Sequence, residues 1–132
     1  MSFQQMVILI SFLCLPLALF STPGFAFEMG DRVLGQWADG YWYPATVVHK
    51  EQTENNETHY KLIYDDGDQS FVGDTQVVQL DWSKNTNIQC NWQGKGRYYP
   101  GTISIKVGQA ILVSYDDGDQ EFTVIGRCRQ QR

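Results

Sequence analysis

The residues with chemistry to offer are aspartates set beside aromatic rings. Tyr64-Asp65-Asp66-Gly67-Asp68-Gln69 and Tyr115-Asp116-Asp117-Gly118-Asp119-Gln120 are identical over six positions and together hold six aspartates. The faces of Trp and Tyr attract a quaternary ammonium by roughly 0.5–2 kcal/mol per good contact. Such a cation cannot donate strong hydrogen bonds, so rings must hold it, and a nearby carboxylate adds longer-range attraction. A plainer reading stands beside this one. Trp and Tyr at strand ends close a barrel mouth against water, and Asp-Asp-Gly-Asp makes a good hairpin with a solvated face. The aspartates are not spaced as in an EF-hand loop, so no metal site is expected.

Catalytic signatures are missing from the sequence. It has no CxxC, no HExxH, no glycine-rich phosphate loop and no plausible Ser/His/Asp set. The two histidines, His49 and His59, flank a polar stretch and read as solvated side chains. The expectation is a protein that is not an enzyme and carries no cofactor.

The elements that position the aromatics come in duplicate. WADGYWYPATV, from Trp37 to Val47, parallels WQGKGRYYPGTI, from Trp92 to Ile103, with one extra residue in the second turn. Further on, Phe71 parallels Phe122 and Val77 parallels Cys128. Each copy reads as strands. Val33, Gly35 and Trp37 alternate with outward positions, as do Ile88, Cys90 and Trp92. A second strand is expected over residues 42–49 and 98–106, and a third over 60–64 and 110–115. The fourth carries Phe71 or Phe122, and the fifth covers 76–80 or 126–129. Residues 50–59 read as a long polar loop, and no helix is expected. Asp66-Gly67 and Asp117-Gly118 predict two-residue hairpin turns with positive φ at both central positions. Five short strands in about 50 residues bury too little as an open sheet, whereas a small barrel gives a core and removes free edges. The linker, residues 82–87 (WSKNTN), is so short that the two barrels are expected to pack on each other.

The start of the chain reads as a leader. Residues 6–20 (MVILISFLCLPLALF) form an apolar run, interrupted by Ser11, of signal-peptide rather than bilayer-spanning length. Gly24 and Ala26 supply the small residues of a cleavage site, so residues 1–26 are expected to be removed after Ala26, leaving a secreted or periplasmic protein with no membrane attachment. An uncleaved N-terminal anchor is the alternative. Every charged residue follows Ala26, so the mature part keeps the net charge of −5. That charge disfavours nucleic acid as a partner. Cleavage also removes Cys14 and leaves Cys90 and Cys128, an even pair that in an exported protein reads as a disulfide, with two buried thiols as the alternative. Asn56-Glu57-Thr58 is a glycosylation sequon, relevant to a eukaryotic source.

The pattern W-x-D-G-x-x-Y-P-A-T-V, followed by a strand ending in Tyr and an acidic glycine turn, resembles the Tudor family, within a group of small barrels that includes agenet and chromo-barrel domains. The resemblance covers both copies. It implies an all-β fold of two tandem five-stranded SH3-like (Tudor-type) barrels, over residues 28–82 and 86–132. It also implies an aromatic cage at one barrel end. Motif match places Trp37, Tyr43, Tyr64 and Phe71 in the first cage, and Trp92, Tyr99, Tyr115 and Phe122 in the second. Asp66 and Asp68, and Asp117 and Asp119, fall at the acidic rims. In such barrels the fifth strand pairs with the first, which would bring Cys128 to Cys90. The implied partner is a protein or peptide with a methylated lysine or arginine, or another cationic side chain. The alternative is an extracellular or envelope adaptor whose barrels mediate protein–protein or cell-wall contact without a cage ligand.

Overall fold

The computed structural model describes residues 26–132; the expected leader, up to residue 25, lies outside them. The described chain is all-β. The first barrel comprises β1 (Arg32–Gln36), β2 (Trp42–Gln52), β3 (Thr58–Tyr64), β4 (Gln69–Gly73) and β5 (Val77–Gln79), in the order β4-β3-β2-β1-β5. The second comprises β6 (Asn87–Asn91), β7 (Tyr98–Val107), β8 (Ala110–Tyr115), β9 (Gln120–Val124) and β10 (Cys128–Arg129), in the order β10-β6-β7-β8-β9. All pairings are antiparallel. Short 3-10 turns at Asp74–Gln76 and Ile125–Arg127 carry each fourth strand into its fifth. The long second strands, β2 and β7, each contain a bulge, between Val47 and His49 and between Ile103 and Ile105. A bulge bends and twists its strand, which lets a long β2 or β7 curl with its sheet.

Three expectations are corrected. The polar stretch 50–59 is strand at both ends and a loop only over 53–57: Lys50 pairs with Tyr60, Glu51 with His59 and Gln52 with Thr58. Backbone ladders do not need apolar side chains on an exposed hairpin, and the Thr53 N–H closes the tip on the Glu57 carbonyl at 2.8 Å. The acidic turns place only their glycines at positive φ, Gly67 at 94° and Gly118 at 98°. Tyr64 N–H donates to the Asp68 carbonyl and Gly67 N–H to the Tyr64 carbonyl, so three residues lie in the loop instead of two. The carboxylates of Asp66 and Asp117 accept the amides of Asp68 and Asp119, both at 2.9 Å, and fix the turn without a left-handed aspartate. Finally, Leu34 is not an outward position. Val33 enters its own barrel's core, while Leu34, also fully buried, joins the core of the second barrel.

The two barrels are therefore interlocked. Trp82, from the linker, is buried among Ile88, Ile103 and Ile125 of the second barrel. Arg32 grips Asp65 through both terminal nitrogens, at 2.6 and 2.7 Å, and one of them also donates to Gln109 of the second barrel at 3.0 Å. Gln130 N–H donates to the Trp42 carbonyl at 2.8 Å. Cys90 and Cys128 face each other across the β6–β10 pair with their sulfurs at disulfide distance, 2.08 Å. At the matching register the first barrel has Gly35 opposite Val77.

Candidate functional site

The mouth of the first barrel is built around Tyr64, the last residue of β3. Its ring lies over Gly35, where an added Cβ would stand 2.5 Å from Leu62 and 2.8 Å from the Tyr64 hydroxyl. Only glycine leaves that space. The hydroxyl pairs with Ser70 Oγ at 3.1 Å. Trp37, just past β1, meets the Tyr64 ring edge-on, with centroids 5.2 Å apart and planes at 85°. Tyr43, near the start of β2, does the same at 6.5 Å and 86°. Its hydroxyl donates to Asp39 Oδ2 at 2.6 Å and accepts from Arg129 at 3.0 Å. Asp39 is itself placed by the turn before β2, where Oδ1 accepts the Tyr41 amide at 2.9 Å. Trp37, Asp39, Tyr43, Tyr64, Asp66, Asp68 and Tyr98 line a cavity of about 140 Å³. Burial, with help from the bond to Asp39, pushes the Tyr43 phenol up to about 12. Burial raises Tyr64 as well.

The second barrel has a counterpart of about 190 Å³, lined by Trp92, Tyr99, Tyr115, Asp117 and Asp119. Glu121 replaces the first barrel's Ser70: it accepts the Tyr115 hydroxyl at 2.9 Å and, through its other oxygen, the Gln93 amide at 2.8 Å. Burial, then Glu121, raises the Tyr115 phenol. Lys95 Nζ already sits 4.8 Å from the Trp92 ring centroid.

Six of the eight aromatics singled out in the sequence thus line one cavity or the other, and the four rim aspartates line them too. Phe71 and Phe122 do not. Side chains alternate along a strand, and β4 pairs Ser70 with Leu62 and Phe71 with Lys61. Ser70 therefore points inward and Phe71 outward, where it stacks on His59 at 5.5 Å. Phe122, opposite Leu112, is 79% exposed. The sequence reading missed Asp39, Tyr98, Ser70, Glu121 and Arg129. For Tyr98 a signal existed: adjacent to Tyr99 on one strand, it had to face away from its own barrel's pocket. Among the described residues, no group of three or more His, Cys, Asp or Glu is arranged to hold a metal, and no helix is long and apolar enough to cross a membrane.

By sequence, the chain matches no protein-family profile and no curated relative. By structure, it is similar to the tandem tudor domains of Crb2, with a TM-score of 0.59 and 16% identity over 81% of this chain and 82% of that one. Two tandem agenet structures also align, each at TM-score 0.35 and 12% identity: AGD34 of Arabidopsis thaliana AGDP1, over 80% of this chain and 82% of that one, and ADCP1 agenet domains 3-4, over 80% of both. The fold is that of a tandem Tudor-type pair of barrels.

Proposed function

We propose that the chain is a non-enzymatic reader that captures a methylated lysine or arginine, or a similar cationic group, in an aromatic cage. The observation that carries this reading is the first barrel's mouth. Three rings meet nearly at right angles around a small cavity whose lining includes Asp39, Asp66 and Asp68. A trimethylammonium group within about 6 Å of several ring faces gains from each, and the carboxylates raise its local concentration. The second cavity is a weaker candidate, because Lys95 already lies over Trp92. The net charge of −5 favours a basic peptide over a nucleic acid. We infer export separately, on the Cys90 and Cys128 sulfurs at disulfide distance, as suits an oxidising compartment, so the cationic ligand is one met outside the cytosol.

Titration with trimethyl-lysine, dimethyl-arginine and choline, followed by tryptophan fluorescence, tests the proposal. A saturable change is the expected result. The adaptor reading has support of its own. Ile105, Val107, Phe122 and Val124 are 48%, 72%, 79% and 47% exposed on one outer face of β7–β9, and contiguous apolar surface of this kind marks contact sites. Silence towards every methylated ligand at millimolar concentration would put the adaptor reading ahead.

A further inference from the structure

The first barrel's cage is not completed by the first barrel. Arg129, on β10 of the second, reaches across the seam and donates to the Tyr43 hydroxyl at 3.0 Å. Its guanidinium carbon lies 3.5 Å from the Tyr41 ring centroid and 4.0 Å from that of Tyr98. Its Nε donates to Gln89 Oε1 at 2.9 Å, which aims the fork. Tyr98 in turn meets Tyr43 edge-on at 6.2 Å. One guanidinium plane thus fixes two tyrosine rings and the orientation of a third. A planar, always-charged fork suits this task, and an ammonium does not.

What holds Arg129 is a strand of two residues. β10 pairs only Cys128 with Cys90 and Arg129 with Gln89, too little ladder to persist alone. The Cys90–Cys128 bridge ties that strand down one residue from Arg129. The next residue, Gln130, bonds the backbone of Trp42, beside Tyr43.

We propose that Arg129 is a positioning residue for the first cage, and that the Cys90–Cys128 bridge preorganises the cage through it. The proposal rests on the reader function, with Tyr43 as a cage wall. It predicts that ligand affinity in one barrel depends on a covalent bond in the other.

The test compares wild type, Arg129→Ala, Arg129→Lys and the double variant Cys90→Ala/Cys128→Val. Trimethyl-lysine is titrated by tryptophan fluorescence, melting is recorded in parallel, and the ring signals of Tyr43 are followed by NMR. Loss of preorganisation should weaken binding about tenfold in Arg129→Ala. Arg129→Lys should also bind more weakly, because it keeps the charge and loses the fork. The cysteine variant should displace the Tyr43 signals in the direction Arg129→Ala does. Should Arg129→Ala fail to fold, Arg129→Lys carries the comparison. Wild-type affinity in a folded Arg129→Ala overturns the inference, as do unmoved Tyr43 signals. If wild type itself binds nothing, the reader function fails, and the Tyr43 signals still decide whether Arg129 positions that ring.

Discussion

Trp42 and Tyr98 occupy equivalent positions in the two copies, each directly before a pocket tyrosine, and each packs against the opposite barrel. Trp42 lies on the second barrel's core cluster, and Tyr98 meets Tyr43 of the first. The strand alternation that turns Tyr43 and Tyr99 towards their own cavities turns their neighbours across the seam.

Trp37→Ala separates a cage from a structural aromatic. Trp37 is only partly buried, so its loss should cost about 1–2 kcal/mol of stability while abolishing binding of trimethyl-lysine. A core tryptophan would cost about 3–5 kcal/mol. Affinity and melting temperature, measured on the same sample, distinguish the two.

Phe71→Ser and Phe122→Ser should leave cage affinity within about twofold of wild type, the range of ordinary surface substitutions, because neither ring lines a cavity. A loss on the scale of Trp37→Ala would mean that these rings swing inward when ligand arrives.

Gly35→Ala should damage both stability and binding. Its Cβ would meet Leu62 and the Tyr64 hydroxyl at 2.5 and 2.8 Å. Overpacking of this kind costs about 1–3 kcal/mol, and its relief moves the Leu62 and Tyr64 side chains, the second of which lines the cavity. Denaturant melts and a ligand titration check the two halves of the expectation.

Alkaline pH should destabilise the fold partly through Tyr43. Its phenol is raised from 10.0 to about 12 by burial and by Asp39. Between these values the folded state holds a proton that the unfolded state has released, so stability falls as pH rises. Below pH 10 the contribution is fully present. Tyr43→Phe should lose less stability than wild type between pH 10 and 12, measured by thermal melts across that range.

Removing the Cys90–Cys128 bridge should cost about 2–4 kcal/mol in the loop-entropy account, for a sequence separation of 38 residues. Melting with and without reductant measures it. Export is checked separately: the native protein should begin at Phe27, as N-terminal sequencing would show.

The duplication and the five strands of each copy were legible because tight turns, β-rich composition and a repeated WxDG…YP block all point the same way, while the pairing of fifth strand with first came from the resemblance to Tudor barrels. The ends of the stretch 50–59 were not: polarity reads as loop, yet β2 and β3 run into it from both sides on a backbone ladder, leaving only 53–57 as loop. Leu34 was misread for the opposite reason. Alternation within one sheet says outward, and the burial comes from the other barrel. The phenylalanines were displaced by a single register step, which inverts the face a side chain occupies. Arg129 lies 86 residues from Tyr43, and no local pattern signals a contact of that range.

Leu34 has a consequence for how the two halves can change. It belongs to the first repeat in sequence and to the second in packing, while the linker's Trp82 joins the same cluster. Cut between the repeats, one fragment would present a bare leucine to water and the other would carry a vacancy where that leucine had been. Shared packing of this kind predicts that the copies melt as one body, in a single transition by calorimetry, and not as separate modules. A substitution at Leu34 would thus be felt in the interior of the repeat that does not contain it.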